Sequence, residues 1–207
     1  MKRVIAAVAL LGLAVIVAGC GHFPPSQGWV TLIDGDKGME HWNKTGSDAN
    51  WRAEGGAIQA DKSTGKGSSV LVSKQSFKDF DLYCEFWASE DTNSGIYIRI
   101  MKPTDVSTST GAYEVQIWDK NPNPAYGTGS LVNVAEVKPI YKAGGRWNTY
   151  EIIAKGSQLT VKLNGVTTVD VHDRKLAAGP FALQYGPGVN NAQGGPIKWR
   201  KVQIRSL

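Results

Sequence analysis

Three segments between residues 80 and 119 carry most of the side chains that could act on a bound molecule. Asp81–Ala88 sets Tyr83, Glu85 and Trp87 against Leu82, Cys84, Phe86 and Ala88. Gly95–Met101 sets Tyr97, Arg99 and Met101 against Ile96, Ile98 and Ile100. Ala112–Trp118 sets Glu114, Gln116 and Trp118 against Tyr113, Val115 and Ile117. Successive side chains of a strand leave on opposite faces, so each segment has an apolar face and a decorated one. A solvated sheet face needs polar groups, but it has no need of Trp, Tyr and Arg beside carboxylates. The mixture suits a sugar, with flat apolar rings for its C–H faces and fixed donors and acceptors for its hydroxyls. The three segments are expected to pair as neighbours, so that their decorated faces form one floor. A plainer reading stands beside this one, because Glu–Arg pairs across strands are common on any wet sheet face.

Those segments need a sheet to hold them, and the rest of the chain reads as strands. Trp29–Ile33, Ala57–Ala60, Ser69–Ser73, Thr149–Ala154, Gln158–Leu163, Val166–Val171, Pro180–Tyr185 and Ile197–Arg205 join the three above to make eleven. The stretches between them are rich in Gly, Ser, Thr, Asn or Pro, including Asn43–Asn50, Lys102–Gly111, Asn121–Gly129 and Gly186–Gly195. Only Asp36–His41 hints at a helical turn. Many short strands with frequent turn signals argue an all-β sandwich, here two antiparallel sheets of five or six strands. Asn164-Gly165 between two alternating segments is a two-residue hairpin signal. Sheets of that size curve, so the decorated strands are expected to line the concave side.

The N-terminus is built for export. Lys2 and Arg3 precede the apolar run Val4–Val17, which is short for a membrane span. Val17-Ala18-Gly19-Cys20 then resembles a bacterial lipobox, implying cleavage before Cys20 and lipidation of its thiol. Gly21, where an aspartate would retain such a lipoprotein in the inner membrane, favours the outer membrane. The expected organisation is a signal peptide at 1–19, a lipidated tether at 20–28 and one domain at 29–207. Losing Lys2 and Arg3 takes the formal charge from +5 to +3. The remaining basic residues are scattered, so nucleic acid is not an expected partner. Cys84 is left without a second cysteine and lies on an apolar face, where it reads as a small buried hydrophobe. His22, His41 and His172 are isolated, and calcium, phosphate-loop and Gly-X-Ser-X-Gly patterns are missing from the sequence. Neither a metal nor a cofactor is expected.

Several motifs in order resemble the 3-keto-disaccharide hydrolase family. They are Trp29–Gly35, Asn93–Arg99, Glu114–Asp119, Trp147–Tyr150, Leu163–Gly165, Phe181–Gln184 and Trp199–Ile204, so the resemblance spans nearly the whole mature chain. It implies a concanavalin A-like jelly-roll sandwich and cleavage of 3-keto disaccharides or glycosides. Many members continue the Leu-Gln pair with Asp-His-Gly, whereas here Leu183-Gln184 is followed by Tyr185-Gly186-Pro187-Gly188.

Cleavage next to a ketone needs a base for the acidified C2 hydrogen, a donor for the enolate oxygen and an acid for the leaving oxygen. Glu114 is the candidate base or acid, and Arg99 the candidate for the ketone or enolate. Gln116, on the same face as Glu114, would hold hydroxyls. Glu85 and Asp119 are candidate second carboxylates. Tyr97, Trp87 and Trp118 would stack on the sugar or wall the cleft. Asn93 either serves a turn or binds ligand, and Gln184 is placed in the cleft. Trp147 and Trp199 read as packing residues. The competing function is a non-catalytic carbohydrate-binding module of the same fold. An ordinary two-carboxylate glycosidase ranks below it, since Asp119, five residues from Glu114, falls on the opposite face of a regular strand. A purely structural envelope protein ranks last.

Overall fold

Alternating segments bounded by turn residues become strands throughout the computed structural model, which describes residues 28–207. The expected signal peptide, the lipidated Cys20 and nearly all of the tether lie outside the described residues. The strands are β1 (Val30–Asp34), β2 (Trp42–Gly46), β3 (Arg52–Glu54), β4 (Ala57–Ala60), β5 (Ser69–Ser73), β6 (Phe80–Ala88), β7 (Asn93–Ile98), β8 (Tyr113–Trp118), β9 (Arg146–Lys155), β10 (Gln158–Leu163), β11 (Val166–His172), β12 (Ala182–Tyr185) and β13 (Ile197–Ser206). The described helical content is three short 3-10 turns, the first at Met39–His41 where a turn was expected.

The strands form two antiparallel sheets. One has eight strands in the order β11-β10-β9-β6-β13-β4-β3, with β1 also paired to β13; the other has five in the order β2-β5-β12-β7-β8. This is the expected jelly-roll sandwich, with its strands shared less evenly than five and six. Alternation explains which faces meet. From β6, Leu82, Cys84, Phe86 and Ala88 enter the core, joined by Tyr150 and Ile152 of β9 and Trp199 and Val202 of β13. Ile96 and Ile98, Val115 and Ile117, and Leu183 and Tyr185 reach it from the five-stranded sheet. Phe86 stacks on Tyr150 at 5.0 Å between ring centres and leans on Trp199 at 5.8 Å. Trp199 is therefore core, while Trp147 lies on the outer face under the Arg200 guanidinium, 4.3 Å from the ring centre. Asn164 and Gly165 both take positive φ in the β10–β11 hairpin, the geometry that two-residue turns require.

Two features of the fold position the site. First, the five-stranded sheet carries a second apolar cluster on its outer face, made of Val70, Val72, Tyr97, Ile100, Ala112 and Ala182, against which Val106 of the 102–111 loop packs. Second, the segment after Gly127 runs beside β8. Ser130 O accepts from Gln116 N at 3.0 Å and Glu114 O accepts from Val132 N at 2.9 Å, so the β8 edge is covered.

The three decorated segments do not share one face. β7 and β8 pair as expected, but β6 belongs to the other sheet, between β9 and β13. The link between Ala88 and Asn93 carries the chain across the sandwich. It is pinned by the Thr92 hydroxyl, which donates to Pro196 O at 2.7 Å and accepts from Ser89 N at 2.8 Å.

Candidate functional site

Tyr97 on β7 and Glu114 on β8 stand directly opposite each other across the strand pair. The neighbouring strand β12 sets Ala182 opposite Tyr97. Gln184, two residues further along β12, projects from the same outer face. Its Nε2 donates to the Tyr97 hydroxyl at 2.8 Å and to Ser68 Oγ at 3.2 Å. Because Tyr97 Oη already accepts from Gln184, its own proton is left for the Glu114 carboxylate. Gln184 Oε1 is buried and has no hydrogen-bond partner, an arrangement that costs free energy unless something supplies a donor.

Glu114 is only 7% exposed. Burial pushes its carboxyl pKa up to about 7, and the neighbouring Tyr97 and Gln184 side chains pull in the other direction without cancelling the rise. The Tyr97 phenol is pushed well above its ordinary value, first by burial and then by the facing carboxylate, so it remains a donor. A carboxyl that titrates near neutrality can both take and return a proton at physiological pH.

The Glu114 side chain lies over bare backbone at Gly95. Gly95 lies opposite Gln116, and a Cβ there would come within 3.2 Å of Glu114 Oε1. Gln116 itself is turned so that its Oε1 accepts from Ile117 N at 3.1 Å. Its amide N–H groups are thereby left as the free end of the side chain. Asn93 donates from Nδ2 to Pro187 O at 2.7 Å and accepts from Gly186 N at its own carbonyl at 2.8 Å. It anchors the 186–195 loop. Trp118 stands opposite Asn93, with its indole N–H buried and unpaired.

Residues 28–205 match the family model of the 3-keto-alpha-glucoside-1,2-lyase-like domain. The chain belongs to that family. Solved structures agree on the fold of this lyase-like domain. A candidate glycosyl hydrolase from Parabacteroides distasonis superposes with a TM-score of 0.70 at 17% identity, covering 87% of this chain and 95% of the other. The carbohydrate-binding module CBM66 from Bacillus subtilis gives 0.56 at 17% identity, covering 80% and 96%. The lumenal domain of VIP36 in its calcium- and mannose-bound form gives 0.60 at 11% identity, covering 86% and 89%. No curated protein matches the chain.

Four of the expected site residues of the lyase-like domain lie elsewhere. Arg99 follows the end of β7 and takes a φ of 53°, which breaks the alternation and turns the side chain away from Glu114. The guanidinium is completely buried. It donates to Lys78 O at 2.9 Å, Gly156 O at 2.8 Å and Leu176 O at 3.0 Å, and it meets Asp79 Oδ1 at 3.3 Å. It is a structural clamp with no donor to spare for a ligand. Glu85 and Trp87 project from the outer face of the eight-stranded sheet. There Glu85 pairs with Arg200 at 2.5 Å, and Lys198 Nζ lies 5.3 Å from the centre of the Trp87 ring. Asp119 lies past the end of β8, where its carboxylate accepts from Gly144 N at 2.8 Å, Ala143 N at 2.9 Å and the Thr128 hydroxyl at 2.6 Å. It fastens two loops.

The expected residues that do assemble are therefore Glu114, Tyr97, Gln116 and Gln184, with Asn93 and Trp118 at one end. Sequence reasoning missed Gly95 as part of the floor, although a glycine inside an alternating strand is a recognised sign of close approach. Among the described residues no three His, Cys, Asp or Glu side chains gather as a metal site would require.

Proposed function

We propose that this outer face binds a 3-keto glycoside and that Glu114 cleaves it by elimination followed by hydration. The observation that carries the reading is a carboxyl only 7% exposed, facing a tyrosine across the strand pair and beside a glutamine, in a chain of this family. Ionised Glu114 takes the C2 proton, and the C2–H electron pair moves into the enolate at C2–C3. Gln116, whose oxygen is held by Ile117 N, offers its amide N–H groups to the developing enolate oxygen, the task for which Arg99 is not free. As the enolate collapses, the C1–O bond breaks. The proton gained by Glu114 passes to the departing oxygen, and water adds to the resulting double bond. Tyr97 holds the carboxylate in place while it is charged, and Gln184 Oε1 accepts a substrate hydroxyl.

One acid suffices for such a route. A retaining glycosidase needs two carboxyls ~5–5.5 Å apart, and both candidates for the second, Glu85 and Asp119, are engaged in other interactions. The binding-module reading has its own support in the likeness to CBM66. The two separate in one experiment, in which the full chain is incubated with a 3-keto disaccharide and with the unoxidised sugar. Release of free sugar from the ketone alone, abolished by Glu114→Gln with binding retained, supports the lyase reading. Binding without release from either sugar favours the module, and equal release from both favours an ordinary glycosidase. We further propose that Cys20 carries lipid that tethers the domain to the outer membrane, which labelling of wild type and Cys20→Ser with a radioactive fatty acid would test.

A further inference from the structure

A separate cleft of about 280 Å³ opens at the end of the β5–β12 pair, near the lower end of the size of small-molecule sites, ~300 Å³. Two loops form its walls, one from Ser63 to Gly67 and the other from Pro187 to Gly194, with Tyr185 between them. Both loops are tied to the face that holds Glu114. The first continues into Ser68, whose hydroxyl accepts from Gln184 Nε2 at 3.2 Å, and the second is held by Asn93 through Pro187 O at 2.7 Å. Tyr185 follows Gln184 directly but turns to the core side of β12, and its hydroxyl donates to Gly194 O at 2.8 Å, so the cleft opens at the end of the sheet and is joined to the Glu114 face through the two loops.

The lining has a consistent chemistry. Ser63, Lys66, Asn191 and Gln193 supply donors, and no carboxylate lines the cleft. The nearby acids are occupied, since Asp48 pairs with Lys44 and Asp61 with Arg52, each at 2.7 Å. Among the described residues Lys66 has no ion-pair partner. A cleft with one unmatched cation, amides and hydroxyls suits a hydroxylated ring that carries an anionic group.

We propose that this cleft is a second sugar subsite, linked to the Glu114 face by the loops that Ser68 and Asn93 hold, and that it takes the leaving ring of a glycoside bearing a carboxylate, with Lys66 as its selector. The inference rests on the reading of Glu114 as the reacting centre only for calling that ring the leaving one. The binding claim stands by itself.

Isothermal titration of the full chain tests it, with an unoxidised disaccharide ending in glucuronic acid, its neutral glucose counterpart and inorganic phosphate as probes. The acidic disaccharide should bind about two- to fivefold more tightly than the neutral one, the scale an exposed ion pair supplies, and more tightly than phosphate. Lys66→Met should erase that preference, and Lys66→Arg should keep it. Equal affinities, a preference that survives Lys66→Met, phosphate binding as tight as the disaccharide, or no binding of either sugar would each overturn the proposal. Turnover is read separately. An acid preference without cleavage of any 3-keto glycoside leaves the subsite standing and removes the lyase reading. Cleavage without any acid preference does the reverse.

Discussion

Replacing Glu114 with glutamine should make the protein more stable at alkaline pH while removing its chemistry. A carboxyl whose pKa rises from 4.5 to about 7 on folding holds its proton more tightly in the native state by ~3 kcal/mol. The native pKa is the higher one, so this stabilisation is complete below about pH 4.5 and is lost as pH rises through 7. Native Glu114 is then ionised in a nearly closed environment. Glutamine has the same shape and carries no charge at any pH. It does lose one acceptor facing the Tyr97 hydroxyl, at a cost of ~1 kcal/mol. The variant should therefore be less stable than wild type by roughly that ~1 kcal/mol at pH 4.5. At pH 8.5 the order should invert, with the variant ahead by ~2 kcal/mol. Urea unfolding followed by tryptophan fluorescence, at half-unit steps between these limits, gives both curves. Parallel curves across the window would show that Glu114 does not titrate there, and the assignment of an acid–base group would fall with it.

Other expectations follow from the same geometry. Tyr97→Phe removes the hydroxyl that lowers the Glu114 pKa, so the acid limb of the pH–rate profile should move to higher pH. Arg99→Met leaves three buried carbonyls without their donor. It should cost ~3–5 kcal/mol in urea unfolding with turnover per folded molecule unchanged, whereas a loss of turnover at full folding would return Arg99 to the site. Gly95→Ala puts a methyl 3.0 Å from Val115 O and 3.2 Å from Glu114 Oε1, so it should weaken sugar binding in titration and cost ~1–3 kcal/mol. Burial drives the Cys84 thiol far above its ordinary pKa. A thiol reagent should therefore label it only at the rate of global unfolding.

Alternation made most of the fold legible. Ala57–Ala60, Ser69–Ser73 and Gln158–Leu163 coincide with observed strands because their apolar residues and flanking turns agree. Trp42–Gly46 and Arg52–Glu54 escaped notice because they are mainly polar edge segments whose strand character comes from pairing with β5 and β4. Alternation also told which side chains of β6 face away from the core, but not which sheet β6 joins. That depends on the crossover between Ala88 and Asn93, and no periodicity encodes it. Arg99 illustrates a second limit. The pattern of Gly95–Met101 runs on past Ile98, yet a single positive φ ends the strand there and reverses the side chain. Glu114, Tyr97 and Gln184 meet only because β12, some 70 residues further along the chain, inserts between β5 and β7, a long-range pairing that local spacing cannot show.

The Arg99 clamp also constrains the order in which the molecule can be completed. Its donors are satisfied by carbonyls 21, 57 and 77 residues away in the chain. A nascent chain that has delivered Arg99 but not Leu176 must keep that cation hydrated, and the layers around it apart. The two halves of the sandwich are thus prevented from closing early, and the last third of the polypeptide decides when the whole becomes watertight.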